Sequence, residues 1–154
     1  MEVFRLTRER FALPLSGWGA ALRGARWNPI GTEVIYTAQN RSLAMAEIAV
    51  HFTLATLPTD YVMLTIHVPE DVSIQEITPS ELPEDWNQFP HPMSTQEIGR
   101  QFLSENRYGL LKLPSVVTQG DFNFLINPKH PDFPRISVVE MVPFPFDRRI
   151  FQLK

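Results

Sequence analysis

The chain has no cysteine, which excludes a disulfide framework, a thiolate metal site and a cysteine nucleophile. Long apolar runs are missing as well: nothing approaches the roughly 18 residues that a membrane-spanning helix needs. The first residues, Met1-Glu2-Val3-Phe4-Arg5, are not the basic stretch and apolar core of an export signal. A cytoplasmic protein without membrane contact is expected. Histidine is sparse, and His51, His67, His91 and His130 stand too far apart for a zinc site on one helix or hairpin, so no metal is expected. With a net charge of −3, the chain lacks the general basic face that nucleic-acid phosphates demand. Glycine is scarce too, seven in all, yet four of them crowd into residues 13–31.

What is present suffices for one core. A length of 154 residues with 44% hydrophobic content fits a single domain over 1–154 and is short for two. Charge is uneven. Residues 1–41 hold six arginines (Arg5, Arg8, Arg10, Arg23, Arg26, Arg41) against three acids (Glu2, Glu9, Glu33), a local +3 that leaves −6 for the remainder. Eleven of the fourteen basic residues are arginine, whose planar fork suits bidentate phosphate binding. A small anion would be drawn to the N-terminal region, although any one of these arginines could serve only solubility.

Along the chain, Val3 to Leu6 alternates as a short strand, and the glycine-rich text of residues 13–31 reads as a long functional loop. Glu33–Thr37 follows as a strand with Val34 and Tyr36 on one face, and Asn40 or Ser42 can cap a helix from Leu43 to Leu57. Tyr61–Val68 alternates with Val62, Leu64, Ile66 and Val68 pointing one way, a strand half-covered by core. Residues 69–93, with five prolines and several acids around Trp86 and Phe89, read as a surface excursion holding one short helical turn. Ser94-Thr95-Gln96-Glu97 has the form of a capping box opening a helix that Arg107-Tyr108-Gly109 ends. Leu110–Leu113, Asn123–Ile126 and Ile136–Val142 complete the strands. This order predicts an α+β fold rather than alternating βαβ units.

Glu47 is the sharpest local anomaly. On a helical wheel Leu43, Glu47, Val50 and Leu54 fall within about 60° of arc, so the acid sits in the apolar stripe and needs a partner or a task. An N-terminal arginine, or His51 one turn on, could pair with it purely to hold the fold. Tyr36 precedes this helix and could deliver a ring to its first turns, or be a core aromatic with a bonded hydroxyl. Arg26, beside Trp27-Asn28-Pro29, could reach a phosphate or a carboxylate. Ser115 follows Leu113-Pro114 without a Gly-x-Ser-x-Gly elbow, which favours hydrogen bonding over nucleophilic attack. Gly17, Gly19 and Gly24 approach a dinucleotide fingerprint, but the third glycine is two residues late and no strand-to-helix turn surrounds it.

Together, Gly24-Ala25-Arg26-Trp27-Asn28-Pro29, Val34-Ile35-Tyr36 and Ala44-Met45-Ala46-Glu47 resemble the opening signature of the RES domain, named for its arginine, glutamate and serine. Leu113-Pro114-Ser115 and Asn123-Phe124-Leu125-Ile126-Asn127-Pro128 resemble its later one, and Phe144-Pro145-Phe146-Asp147-Arg148-Arg149 its close. The resemblance implies a fold similar to ADP-ribosyltransferases of the diphtheria-toxin type, with mixed sheets and flanking helices. It implies a toxin that depletes NAD by cleaving the nicotinamide–ribose bond, with NAD as substrate and no resident cofactor. Glu47, Tyr36 and Arg26 would be catalytic, and Arg5, Arg26, Tyr36, Ser115 and Asn123 would bind substrate, with Arg26, Tyr36 and Glu47 lining one pocket. The implied partner is an Xre-like helix-turn-helix antitoxin that blocks the pocket and alone brings the complex to DNA; a homodimer is also compatible. The rivals are an ADP-ribosyltransferase acting on a protein and a non-catalytic nucleotide-binding module.

Overall fold

The computed structural model describes residues 1–152. In chain order the main elements are β1 (Glu2–Arg8), the short helix α1 (Trp18–Arg23), β2 (Ile35–Ala38), α2 (Arg41–Ala49), β3 (Tyr61–His67), β4 (Ile74–Glu76), α3 (Met93–Glu105), β5 (Leu110–Pro114), β6 (Phe122–Ile126) and β7 (Ser137–Pro143). All seven strands join one sheet in the order β4-β5-β6-β2-β1-β3-β7. Every pairing is antiparallel except β4 with β5. The α+β expectation is met.

The alternation of side chains across a strand assigns the core to two faces. Val3, Ile35, Leu64, Ile66 and Ile126 share one face, closed by loop residues such as Ala12, Val72 and Ile136. The opposite face carries both longer helices. Leu43 and Ala44 of α2 pack on Leu6, Ala38 and Met63, and Phe102 of α3 packs near Leu111, Leu113 and Leu125. Each such fully buried aliphatic side chain contributes about 1.5–3 kcal/mol.

Several expectations are corrected. The helix after β2 stops at Ala49 rather than Leu57, and residues 54–56 form a separate 3-10 turn. Leu43 is buried but Val50 is 61% exposed, so the apolar stripe is one turn long. β3 is covered on both faces, since Val62, Met63, Leu64, Thr65 and Ile66 are all buried. It lies between β1 and β7, and α2 roofs the Met63 side. The 69–93 excursion does hold a short turn, Pro79–Glu81, but it also contains β4, three residues that pair with β5. The capping box at Ser94 does not form. Ser94 Oγ donates instead to Asp85 at 2.9 Å, and α3 starts after Pro92 with no side-chain cap.

One irregularity in the sheet positions the site. β1 pairs with β3 along its whole length but meets β2 only at Phe4↔Ala38. Continuing that antiparallel register would set Leu6 opposite Tyr36; the strands part instead, and a cleft opens between them.

Candidate functional site

The cleft encloses about 810 Å³. Its walls come from β1, β2, β6, α2 and the segment from Arg10 to Arg23, and its charged lining is Arg5, Arg8, Arg10, Arg23 and a single acid, Glu47. Arg8 is paired with Asp60 at 2.8 Å, so Arg5, Arg10 and Arg23 are the guanidinium groups that face an anion beside the one carboxylate, a cavity suited to a phosphate-bearing ligand with one local demand for negative charge.

Glu47 stands on α2, whose first turn is set by Asn40: its side chain accepts from the Leu43 N–H at 2.7 Å. The carboxylate is cradled through one oxygen. Ser115 Oγ donates to Oε1 at 2.9 Å, and Asn123 Nδ2 donates to the same oxygen at 2.7 Å. Oε2 receives no hydrogen bond from the described residues. Neither an N-terminal arginine nor His51 forms an ion pair with Glu47 among the described residues. The carboxylate is therefore held in orientation without being neutralised by a contact cation.

Ser115 is buried and fully engaged. Its Oγ accepts from the Val117 and Thr118 N–H groups at 3.1 and 3.0 Å, which commits its one proton to Glu47. A hydroxyl so bonded is a poor nucleophile and a good clamp. Asn123 lies on β6 and lines the cleft.

Tyr36 also lines the cleft, through its ring, while its hydroxyl faces the glycine-rich segment. It donates to Asn28 Oδ1 at 2.8 Å and accepts from the Trp27 N–H at 3.1 Å. Burial raises the Tyr36 pKa, opposed more weakly by the Trp27 hydrogen bond and the charge of Arg26. Asn28 is wholly buried, and its Nδ2 donates to the carbonyls of Ala20, Pro29 and Thr32. The expected long loop is thus an ordered segment built around one asparagine. Helix α3 braces it: Gln96 Nε2 donates to the Ala25 and Asn28 carbonyls, and a β-carbon on Gly99 would overlap the Trp27 carbonyl.

Arg26 is placed differently from Tyr36 and Glu47. It is not among the cleft-lining residues, and its Nη1 donates to the Trp86 and Gln88 carbonyls at 2.7 and 2.9 Å. Burial lowers its pKa, with the field of Glu47 acting in the opposite sense, so it remains within electrostatic reach of the acid. Arg5 lines the cleft, donates through Nη1 to the Ser16 carbonyl at 3.2 Å, and is lowered in pKa by burial. It is a partly buried cation with no carboxylate among its described partners. The structure therefore gathers Arg5, Tyr36, Glu47 and Asn123 around one cleft, sets Ser115 behind Glu47, and leaves Arg26 at the edge.

Sequence reasoning did not single out Asn28 as a site residue, nor Arg10 and Arg23 as cleft residues. The Trp27-Asn28-Pro29 text was the signal for the first. Among the described residues, no group of three or more metal-ligating side chains gathers, and no helix is long and apolar enough to cross a membrane.

A basic cleft in a split mixed sheet, with one cradled carboxylate, is the setting in which the comparisons fall. The sequence matches the family model of the RES domain over residues 2–147, and the chain belongs to that family. The Prs ADP-ribosylating toxin of Sphingobium sp. is 36% identical over 140 residues, 90% of this chain and 87% of the relative. Toxin Res of Yersinia enterocolitica is 35% identical over 153 residues, 97% of this chain and 99% of the relative. These relatives place the chain among toxins of the family. Its fold is similar to that of a chain in the crystal structure of the M. tuberculosis MbcT–MbcA toxin–antitoxin complex, with a TM-score of 0.73 at 21% identity, covering 93% of this chain and 83% of the other.

Proposed function

We propose that this protein is the toxin of a toxin–antitoxin pair and that it cleaves the nicotinamide–ribose bond of NAD. The observation that carries the reading is Glu47: a carboxylate gripped through Oε1 by Ser115 and Asn123, in a cleft whose other charged side chains are all arginine. NAD matches both features. Its pyrophosphate suits the arginines. When the C–N bond breaks, nicotinamide leaves with the bonding pair as a neutral pyridine and positive charge develops on the ribose, as at a glycosidase transition state. Glu47 would stabilise that charge and accept from a ribose hydroxyl, a contribution of several kcal/mol by the general scale for placed electrostatics. An acceptor oxygen then bonds to the same carbon and gives up its proton.

Within this reading Arg5 binds a phosphate, the ring of Tyr36 packs against the substrate, and Ser115 positions Glu47. Arg26 holds the Trp86–Gln88 segment beside the site. The chemistry draws only on this chain's side chains, with NAD as substrate rather than resident cofactor and with no metal. The acceptor is water or phosphate. A second reading, transfer of ADP-ribose to a protein, is favoured by the name of the Sphingobium relative and uses the same pocket. A non-catalytic module would have been favoured by a Glu47 locked in an ion pair, which the described contacts do not contain.

The partner reading rests on the rim of the cleft. Phe11, Leu13, Trp18 and Leu22 are each more than half exposed beside Arg10 and Arg23, more apolar surface than a solvated rim needs. An antitoxin of the helix-turn-helix kind, inserting an acidic and apolar segment, would cover it and bring this acidic chain to DNA. The complexed state of the M. tuberculosis fold neighbour agrees with such pairing. The protein would act in the cytoplasm, where NAD is abundant. Incubating purified, partner-free protein with NAD, with and without phosphate, and resolving the products by chromatography tests the reading. Nicotinamide should appear; folded protein that releases none contradicts it.

A further inference from the structure

We infer that Asn123 is a positioning residue: its side-chain amide fixes the carboxylate of Glu47 for reaction rather than contacting substrate itself. The inference rests on the nicotinamide-releasing reading of Glu47 and adds to it the residue that aims the acid.

Three observations carry it. Asn123 stands in an apolar file, since its register partners on the neighbouring strands are Ala38 and Leu113, and Leu125 follows on the same face. A leucine there would continue the file and satisfy packing alone. Second, the amide makes one hydrogen bond, Nδ2 to Glu47 Oε1 at 2.7 Å. Its Oδ1 is buried with no partner. A buried acceptor left without a donor offsets much of what the one hydrogen bond contributes, so stability alone does not account for the amide. Third, the orientation of the amide is dictated by charge: turning it over would set Oδ1 against the carboxylate. What the amide does supply is a fixed direction for the carboxylate. Ser115 Oγ reaches the same Oε1 from the residue just past β5, Asn123 from within β6, and two donors from different segments restrain the carboxylate where one would leave it freer to rotate.

The contact is tested first without turnover. In unliganded protein, the side-chain amide resonances of Asn123 should shift when Glu47→Gln removes the charge they face; unmoved resonances would overturn the inference. Kinetics test its consequence. Asn123→Leu, or Asn123→Ala should the leucine variant fail to fold, is expected to lower kcat for nicotinamide release by about ten- to a hundredfold, the scale of a small misplacement of a reacting group. KM should stay within about threefold, because no substrate contact is lost. In a Glu47→Gln background, the same substitution should cost much less, since its effect passes through Glu47. A raised KM with kcat preserved would make Asn123 a substrate contact, and an equal loss in both backgrounds would make it structural; either overturns the inference. Wild-type protein that releases no nicotinamide while the amide resonances still shift would keep the positioning contact and sink the substrate reading alone.

Discussion

Tyr36 and Asn28 form a closed pair: the tyrosine hydroxyl donates to Asn28 Oδ1 at 2.8 Å, while Asn28 Nδ2 ties down three carbonyls of the surrounding segment. The pair fastens the cleft's glycine-rich wall to β2. Tyr36 thus presents its ring to the cleft and spends its hydroxyl on structure.

This arrangement predicts a pH dependence. Burial raises the Tyr36 pKa above its ordinary value of 10.0. Between that value and its native one, the unfolded chain has released the proton and the native state has kept it, so stability falls as pH rises. Tyr61 is raised by burial as well and contributes in the same direction. Tyr36→Phe should leave the Asn28 acceptor and the Trp27 N–H without their partner, costing about 1–3 kcal/mol at neutral pH. It should also flatten the decline of stability above pH 10. Denaturant melts across alkaline pH check both effects; an unchanged slope would mean that the hydroxyl is not held as described.

Ser115→Ala removes one of the two donors to Glu47 and frees two backbone N–H groups. Stability should fall by about 1–2 kcal/mol, because Val117 and Thr118 are partly open to water. Turnover should fall with little change in KM, since Asn123 alone would then hold the carboxylate. Retained turnover would show that one donor suffices.

Arg5→Leu separates binding from folding. Arg5 is a partly buried cation whose described hydrogen bond is to a carbonyl and not to a carboxylate, so its removal should leave thermal stability unchanged or slightly raised. Its loss should raise KM for NAD about tenfold or more, the scale of a charge-assisted phosphate contact. A lower melting temperature with unaltered KM would recast Arg5 as part of the fold.

Much of the fold was legible because its strands are strongly patterned. Phe122–Ile126 and Tyr61–His67 appear within a residue or two of the positions their alternation suggests. The sequence misled where tertiary context overrode local preference. The apolar run to Leu57 prolongs a helical pattern that the chain breaks after Ala49, and β4 is three residues whose strand character comes from pairing with β5. At the site, Glu47 stood out because a carboxylate interrupts an apolar stripe. Ser115 drew notice through its turn and Asn123 through the resemblance, but neither could be tied to Glu47, since they lie 68 and 76 residues away and no local pattern marks a contact of that span. Arg26 sits in the quoted motif, but the carbonyls it grips belong to the 86–88 segment, which no spacing rule links to it.

The partner should inhibit in a one-to-one fashion by filling the basic cleft. Titrating purified antitoxin into the NAD assay should abolish nicotinamide release at equivalence, and Leu22→Glu at the exposed rim should weaken that inhibition. Full inhibition of the Leu22→Glu variant at equivalence would locate the partner elsewhere.

The central claim is that the Glu47 carboxylate enables release of nicotinamide. The most direct measurement compares nicotinamide production by wild-type protein and by Glu47→Gln, both shown to be folded by circular dichroism and melting. The amide nearly preserves shape but supplies no negative charge to the developing cation, so the rate should fall by about a hundredfold or more. A folded Glu47→Gln protein that releases nicotinamide at nearly the wild-type rate would contradict the account.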